Sequence, residues 1–276
     1  MSQFENYTST SQHYDLTRRP IGMQLILGAL ACGSRPLNQQ TVLDAGCGTG
    51  NYVNVLASYV KRMEGVELNP GMLAEAQMKS SADDEIRLQQ GSILELPLEN
   101  ESVDGVVVNF VLHHLDQGSS DGFPATRRAI AECARVLAPG GTLIVQTCSS
   151  EQYHHGYWYS ALIPEAIDRA DDRYIPLDQL EDAMSANGLK RGGRLVSLDE
   201  VLQGESYLDP SGPLQQEWRD GDSSWAFVDE TKLASVTAKV EGMLEADTMD
   251  AFLAKREERR HQIGQATFVI GRKPMV

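Results

Sequence analysis

The sequence predicts an α/β fold, in which helices cover both faces of a doubly wound, mostly parallel sheet. Three observations support this prediction. Short apolar strands alternate with helices of about ten residues between positions 41 and 147. A glycine-rich turn follows the first strand, and one strand is apolar almost throughout. Strands buried on both faces are typical of parallel sheets, and right-handed crossovers between them produce the doubly wound arrangement.

Five strands are predicted in this region. Thr41–Ala45 is a short apolar run that stops at the glycine-rich turn. Met63–Leu68 and Ile86–Gln90 follow as the second and third strands. Val103–Phe110 is nearly continuous in apolar residues, and Thr142–Thr147 is the last of the five.

The helices between these strands have recognisable boundaries. Asn51–Val60 is predicted as a helix because its apolar residues recur at i, i+3, i+4 and i+7. Pro70–Lys79 begins with proline in the first helical turn, where proline is favoured. Ala125–Leu137 stops before a Pro-Gly-Gly sequence.

The flanking segments are less regular. Ile21–Ala31 and Leu177–Asn187 each carry a helical pattern that ends near glycine, and Lys232–Arg260 is predicted as one long helix. Arg194–Leu198 and Ala266–Arg272 are predicted strands. We therefore expect a single domain with an N-terminal arm and helix (residues 1–40), a core (41–147), and C-terminal lid and helical elements with the last strands (148–276).

Composition and charge exclude several classes of protein. The chain has 276 residues, of which 41% are hydrophobic and 23% charged, an ordinary globular mixture. The net charge of −15 disfavours nucleic acid and acidic membrane surfaces as partners. No apolar run approaches the roughly 18 residues that span a bilayer, and the first residues lack a secretory pattern, so a cytoplasmic location is expected. Four singly placed cysteines indicate neither a disulfide framework nor a zinc ribbon.

A glycine loop and two acids indicate a nucleoside-type ligand. The loop has glycines at Gly46, Gly48 and Gly50, whereas a dinucleotide fingerprint has them at relative positions 1, 3 and 6. Asp44 precedes the loop, where a carboxylate suits a ligand ammonium group better than a pyrophosphate. Glu67 ends the second strand, where a carboxylate can bind both hydroxyls of a ribose.

Four motifs in order carry a family resemblance: LDAGCGTG, GVELNPGMLAEA, LPLENESVDGVVVNFVLHHL and RVLAPGGTLIV. Together they resemble a class I S-adenosylmethionine-dependent methyltransferase, and are most similar to the small-molecule enzymes of the ubiquinone-biosynthesis type. The resemblance is strong over about residues 40–147. It implies a Rossmann-like, seven-stranded sheet whose last strand, Ala266–Arg272, is antiparallel.

The resemblance also implies a cofactor, S-adenosyl-L-methionine, with S-adenosyl-L-homocysteine as product, and it implies roles by position. The loop would lie under the methionine portion and Glu67 would bind the ribose hydroxyls. Ser92 would replace an aspartate that many relatives carry, and its hydroxyl can still bond the adenine amino group, though more weakly than a carboxylate. The implied cofactor-binding residues are Asp44, Gly46, Cys47, Gly48, Gly50, Glu67, Leu68, Ser92, Ile93 and Asn109.

His113 and His114 follow the fourth strand, at the sheet edge where α/β proteins bind ligands. Either histidine is a candidate general base or substrate ligand, and His114 is the favoured one. The alternative is that the pair caps the next helix and packs on the sheet. No metal site is predicted, because adjacent histidines on a helix point about 100° apart and no i, i+4 pair occurs.

An aromatic segment leaves the fifth strand at the same edge. Residues 153–159 contain four aromatics and two histidines. Tyr157 and Tyr159 are catalytic candidates, and Cys148, His154 and Trp158 are substrate-binding candidates. Aromatic faces attract cations such as a sulfonium and exclude water. The alternative is a lid that packs its aromatics on the core, and Cys148 could equally be a small core residue.

Two further segments complete the predicted substrate pocket. In the N-terminal arm, which often covers the cofactor in this family, Tyr14 is a catalytic candidate and Tyr7 and Arg18 are substrate-binding candidates. Trp225 is the candidate from residues 199–228. A disordered tail is the alternative for the arm.

The favoured function is direct transfer of the cofactor's methyl group to a small neutral or cationic acceptor, through an O, N, S, C or metalloid atom. A regulatory pseudo-enzyme that binds the cofactor without transfer is one alternative, and a nicotinamide-dependent oxidoreductase is a weaker one. The complete loop and Glu67 argue against the first, and the glycine spacing argues against the second. The sequence leaves open whether the protein is a monomer or a homodimer.

Overall fold

The computed structural model describes residues 18–80, 84–116, 118 and 121–275. Within these residues, seven strands form one sheet: β1 Thr41–Ala45, β2 Arg62–Glu67, β3 Ile86–Gln90, β4 Val103–Asn109, β5 Leu137–Thr147, β6 Lys190–Val196 and β7 Thr267–Arg272. Their order across the sheet is β3-β2-β1-β4-β5-β7-β6.

The sheet has the predicted mixture of strand directions. Strands β1 to β5 pair in parallel, and β7 is antiparallel to both of its neighbours, β5 and β6. From β1 the chain first builds outward through β2 and β3, and then returns to the other side of β1 to form β4. Such a reversal opens a crevice at the carboxyl ends of β1 and β4, where ligands bind in doubly wound folds. The predicted fold class is confirmed.

The helices cover both faces of the sheet and its carboxyl edge. They are α1 Met23–Ala31, α2 Asn51–Leu56, α3 Pro70–Ser80, α4 Pro124–Val136, α5 Ser150–His155, α6 Pro164–Asp171, α7 Leu177–Ala186, α8 Gln216–Asp220, α9 Glu230–Glu245 and α10 Met249–Ile263. Helices α1 and α2 share one apolar core with the sheet, and α4 and α7 share the core on the opposite face. Strand β4 contributes to both, since Val106 and Val108 lie in one core and Val107 lies in the other.

A third core lies beyond the carboxyl end of β5. Its members come from α5, α6, α9, α10 and the segments between them, and it is rich in large aromatic side chains. A capping box in which Ser149 and Gln152 bond each other's backbone fixes the start of α5, directly after the strand. This local geometry turns the aromatic residues of 153–159 back over the sheet edge.

Some predicted boundaries were wrong. The helix predicted over 51–60 ends at Leu56, and the strand predicted over 194–198 is Lys190–Val196. The long helix predicted over 232–260 is two helices, α9 and α10, separated at Asp247, whose φ is 55°. Among the described residues no helix combines the length and apolarity that crossing a membrane requires.

Candidate active site

The glycine loop joins β1 to α2 in a conformation that needs glycine. The φ angles of Gly46, Gly48 and Gly50 are 88°, 54° and 80°, in the left-handed region that other residues rarely adopt. A Cβ atom on Gly46 would lie 2.5 Å from a methyl of Val111, so that position is also closed sterically. A Cβ on Gly48 would meet no atom within 4 Å, so the space beside Gly48 is open.

Asp44 and Asn109 face each other at the ends of β1 and β4. Asp44 is 2% exposed and accepts a hydrogen bond from Nδ2 of Asn109 at 3.3 Å. The Oδ1 atom of Asn109 is buried and has no hydrogen-bond partner among the described residues. Burial raises the pKa of Asp44 to about 7, and the charge of Glu67 adds a smaller increase. The hydrogen bond from Asn109 acts in the opposite direction and lowers this pKa. A ligand ammonium group would supply the donor that Oδ1 of Asn109 lacks and would also pair with the Asp44 carboxylate.

Glu67, at the end of β2, holds the glycine loop. Its Oε2 accepts the backbone N–H of Gly48 at 2.9 Å and its Oε1 accepts that of Asn69 at 2.7 Å. Each carboxylate oxygen keeps a lone pair for a ligand hydroxyl. Glu67 pairs in register with Gln90 of β3, so Leu68 and Ser92 leave the two strands at the same end. Leu68 is 46% exposed, Ile93 is buried, and the hydroxyl of Ser92 accepts the N–H of Leu94 at 3.1 Å.

A cavity of about 60 Å³ lies between the loop and the arm. It is lined by Arg18, Arg19, Asp44, Gly46, Cys47, Gly48, Thr49, Asn51, Tyr52, Asn109, Phe110 and Leu202. Pockets for whole ligands hold roughly 300–1,000 Å³, so this cavity accommodates only part of a nucleoside-sized ligand. Two hydrogen bonds hold the arm across it, from the N–H of Arg19 to the carbonyl of Leu202 (2.9 Å) and from Asn51 to the carbonyl of Arg18 (3.0 Å).

Phe110 is a site residue that sequence reasoning missed. It follows Asn109 with a φ of 53°, an uncommon conformation for a bulky residue. Its side chain packs against the third core, and the residue lines the cavity. Backbone strain of this kind is concentrated at functional sites. Nothing in the local sequence indicates it, because the strain is imposed by packing from both sides.

His113 and His114 lie in a 3₁₀ turn, Leu112–His114, directly after β4. The His113 ring stacks on Tyr174, with centroids 4.6 Å apart and planes 13° apart, and it lies 3.9 Å from the His114 ring. Burial lowers the pKa of both imidazoles, that of His114 to about 3, and the charges of Arg173 and Arg18 lower both further. Both rings are therefore neutral at physiological pH, and His114 is a weak base.

The predicted aromatic segment forms an interlocked cluster. We call Tyr153, Tyr157, Trp158, Tyr159, Tyr174, Trp218 and Trp225 the aromatic cluster. The Tyr159 hydroxyl donates to Asp222 at 2.6 Å and accepts from Gln203 at 2.6 Å. The Tyr157 hydroxyl donates to the carbonyl of Gln265 at 3.3 Å. Burial raises the pKa of both phenols well above their usual value, so both remain neutral. This environment makes Tyr157 and Tyr159 better suited to forming a water-excluding wall than to accepting a proton.

The remaining substrate-binding candidates fall in different surroundings. The Cys148 thiol donates to the carbonyl of Gln265 at 3.0 Å, and burial raises its pKa to about 12. Trp158 is fully buried and donates to the carbonyl of Tyr207 at 2.5 Å. Trp225 is buried in the cluster, and its indole N–H has no partner among the described residues.

The structure does not bring every candidate to this edge. His154 lies on the outer side of α5, 3.4 Å from Asp171, instead of in the aromatic cluster. Arg18, by contrast, lines the cavity and lies 3.8 Å from Asp222. Tyr7 and Tyr14 lie outside the described residues. Within the part of the chain that the structure describes, no three His, Cys, Asp or Glu side chains are placed to hold a metal ion.

Several polar residues of this region were not singled out from the sequence. Asp222 and Gln203 bond the Tyr159 hydroxyl, and Arg173 lies in the segment after α6. Their positions depend on contacts over 40 or more residues along the chain, and no spacing motif marks them. The tryptophans near residue 222 were the only available signal.

Comparisons with known proteins agree with this geometry. Residues 43–145 match the family model described as a methyltransferase domain. The chain is 31% identical over 141 residues to an uncharacterized methyltransferase of Mycobacterium bovis, and the alignment covers 51% of this chain and 67% of that relative.

Solved structures share the fold. A protein described as a methyltransferase of an antibiotic biosynthesis pathway of Anabaena variabilis has a TM-score of 0.73 at 19% identity, over 93% of this chain and 99% of that one. A geranyl diphosphate C-methyltransferase of Streptomyces coelicolor has a TM-score of 0.54 at 16% identity, over 91% of this chain and 77% of that one. That enzyme's structure contains S-adenosyl-L-homocysteine, Mg²⁺ and geranyl diphosphate.

The structural likenesses show the fold, and the mycobacterial relative shows the family. The glycine loop, the buried Asp44 carboxylate, the unpartnered oxygen of Asn109 and Glu67 fit a ligand that carries an ammonium group and a ribose. The chain belongs to the class I S-adenosylmethionine-dependent methyltransferases, and its cofactor is S-adenosylmethionine.

Proposed function

We propose that the protein methylates a small molecule held between the cofactor cavity and the aromatic cluster. The observation that carries this proposal is the buried Asp44 carboxylate beside the Oδ1 atom of Asn109, which is buried and has no hydrogen-bond donor among the described residues, at the carboxyl ends of β1 and β4. In this assignment the pair binds the ammonium group of the methionine portion. The N–H groups of the glycine loop lie beneath that portion.

The other cofactor-binding residues have separate tasks. Glu67 binds the ribose hydroxyls while it also fixes the loop through Gly48. Leu68 packs on the adenine with its exposed side chain, and Ser92 and Ile93 flank the ring from β3. The Ser92 hydroxyl accepts one backbone N–H and keeps a second lone pair for the adenine amino group.

The cofactor supplies a methyl group already activated on a sulfonium, so the protein's work is alignment and exclusion of water. Phe110 lines the cofactor cavity and also packs against the third core, so it joins the two regions. The neutral phenols of Tyr157 and Tyr159 form a dry wall behind the acceptor. Aromatic faces near a sulfonium also stabilise its charge.

His113 and His114 position the acceptor through hydrogen bonds in this proposal. With a pKa near 3, His114 is too weak a base to remove a proton from an alcohol or an ammonium ion efficiently. An acceptor that is already nucleophilic when bound therefore suits the site best. The net charge of −15 led us to expect a small neutral or cationic acceptor.

Cofactor titration tests the assignment. We expect calorimetry to detect S-adenosylmethionine and S-adenosylhomocysteine but not NAD. Glu67→Gln should weaken the binding of S-adenosylmethionine and of S-adenosylhomocysteine by about 1–3 kcal/mol, the scale of hydrogen bonds to a charged group. Glu64→Gln is the matched control, because Glu64 lies on the same strand and is also partly buried. NAD binding, or equal affinities in both variants, would contradict the assignment.

Transfer itself is tested with methyl-labelled cofactor. The protein is incubated with labelled S-adenosylmethionine and a panel of phenols, amines, thiols and carboxylic acids, and label is sought in the extracted small molecule. We expect transfer to at least one class, with stoichiometric S-adenosylhomocysteine. Cofactor binding without transfer to any class would favour a non-catalytic role.

A further inference from the structure

Arg173 is a buried cation, and the described residues offer no hydrogen-bond acceptor to two of its nitrogen atoms. It follows α6 and is only 5% exposed. Its Nε and Nη2 atoms are buried, and neither has a hydrogen-bond partner among the described residues. The guanidinium lies over the Phe227 ring, 4.7 Å from its centroid. The ring face stabilises the charge but offers no acceptor to N–H groups that lie in the guanidinium plane.

Asp222, the acid that bonds the aromatic cluster, already accepts hydrogen bonds from other groups. Asp222 accepts hydrogen bonds from the Tyr159 hydroxyl at 2.6 Å and from the backbone N–H of Ser224 at 2.8 Å. Its other charged neighbour is Arg18, at 3.8 Å. A buried charge that lacks a counter-ion is costly, so such groups are normally paired. The Nε and Nη2 atoms of Arg173 are therefore available to a ligand that carries acceptors.

Arg173 lies next to the proposed acceptor position. Its neighbour in sequence, Tyr174, stacks on His113 at the end of β4. Tyr174 also lies 4.8 Å from Tyr153 of the aromatic cluster, ring centroid to centroid. The charge of Arg173 lowers the pKa of His113 and His114, which places it within electrostatic range of the histidine pair.

We propose that Arg173 binds an oxyanionic group, a carboxylate or a phosphate, that the methyl acceptor carries. This inference rests on the proposed function. The Nε and Nη2 atoms share one edge of the guanidinium, the arrangement that binds two oxygens of one anion. The net charge of −15 describes the outer surface, whereas Arg173 is buried beside the site, so an acidic protein can still bind an acceptor that is anionic at one end.

The test uses simple probes on the full chain saturated with S-adenosylhomocysteine. Benzoate, phenyl phosphate and benzyl alcohol are titrated at constant ionic strength, by calorimetry and by melting temperature. We expect at least one of the two anions to bind and to raise the melting temperature, and the neutral alcohol to do neither. The anion that binds more tightly identifies the acceptor's oxyanionic group as a carboxylate or a phosphate.

Three variants locate the binding. Arg173→Gln should weaken binding of the preferred anion at least tenfold. Arg173→Lys should weaken it less, because lysine keeps the positive charge but lacks the two parallel N–H groups of the guanidinium. Arg169→Gln is the matched control, since Arg169 is one turn earlier on α6 and exposed, and it should bind like the wild type. Without probes, Arg173→Met should melt higher than the wild type, because an uncompensated buried charge is gone.

Two results would overturn the proposal. One is wild-type protein that binds S-adenosylhomocysteine but neither anion, which leaves the cofactor assignment intact. The other is anion binding that is equal in wild type, Arg173→Gln and Arg169→Gln. Failure to bind S-adenosylhomocysteine would instead contradict the proposed function.

Discussion

At the scale of single residues, Asp44 makes cofactor affinity depend on pH. Its pKa of about 7 means that much of the free protein carries a protonated, uncharged Asp44 below neutrality. Only the ionised form attracts an ammonium group. We expect the affinity for S-adenosylhomocysteine to rise from pH 5.5 to pH 7, by up to tenfold per unit, and then to level off. Calorimetry across this range measures it.

Asp44→Asn is the control for this effect. The amide cannot ionise, so the variant should bind weakly with a flat profile. Because the folded-state pKa lies above the ordinary value of 3.8, ionisation of Asp44 opposes folding as the pH rises from about 4 to about 7. The free variant should therefore gain melting temperature over wild type most clearly above pH 7. A flat wild-type binding profile would remove Asp44 from the ammonium site.

A second residue-scale prediction concerns Cys148. Burial raises its pKa to about 12, so almost no thiolate forms at pH 8. We expect iodoacetamide to leave Cys148 unmodified in the native protein and to alkylate the exposed Cys32. Peptide mass spectrometry measures the alkylation of Cys148 and of Cys32 in the same sample. Rapid alkylation of Cys148 would show an accessible thiolate and restore its candidacy as a reactive group.

At this scale, the sequence marks candidate residues where the signal is local. Asp44, the glycines and Glu67 are marked by their spacing around strand ends, and the structure gathers them at one edge. Phe110 and Arg173 carry no such mark. The strain of the first and the isolation of the second arise from elements that are distant in sequence, so spacing alone cannot reveal them.

At the scale of elements, the aromatic segment packs the third core and also forms the proposed wall behind the acceptor. Trp158 is fully buried and packs against Trp218 and Phe252, with ring centroids 5.9 and 6.4 Å away. We expect Trp158→Ala to lower the free energy of unfolding by about 3–5 kcal/mol. Tyr157→Phe removes one hydroxyl and should cost about 0.5–1.5 kcal/mol. Denaturant unfolding measures both.

The comparison separates the two roles of the segment. If Trp158→Ala keeps its stability but loses turnover, Trp158 faces the acceptor and is not a core residue. Tyr157→Phe tests the wall, because it keeps the ring and removes only the hydroxyl, which bonds the carbonyl of Gln265 and contacts the Cys148 sulfur. Unchanged turnover in this variant is expected if the ring alone excludes water.

The break between α9 and α10 shows a limit of pattern reading. The apolar stripe of residues 232–260 predicts one helix, and the junction contains neither glycine nor proline. The chain reverses at Asp247, which adopts a left-handed φ that aspartate tolerates better than most residues. Packing of both helices onto the third core decides the turn, and that packing is not visible in a local window.

At the scale of the whole molecule, the sheet was the most predictable feature. Strand periodicity and crossover handedness determine a doubly wound sheet almost by themselves. The family resemblance supplied the antiparallel β7. By contrast, the third core comes from short helices and 3₁₀ turns joined by irregular segments, whose pattern is weak. The proposed acceptor position lies beside that core, so the sequence indicates fewer of the residues around it.

Net charge acts on the whole molecule, and it separates cofactor from product. S-adenosylmethionine carries one positive charge more than S-adenosylhomocysteine, on its sulfonium, and the protein carries −15. A rise in ionic strength from about 0.01 M to about 1 M shortens the Debye length from about 30 Å to about 3 Å. We therefore expect the dissociation constant of S-adenosylmethionine to increase several-fold over this range, while that of S-adenosylhomocysteine changes little.

Calorimetry of both ligands in the same salt series measures the difference, and the shared binding site makes each ligand the control for the other. An identical salt dependence for the two, or tighter S-adenosylmethionine binding at high salt, would mean that Arg18 and Arg19 at the cavity outweigh the acidic surface.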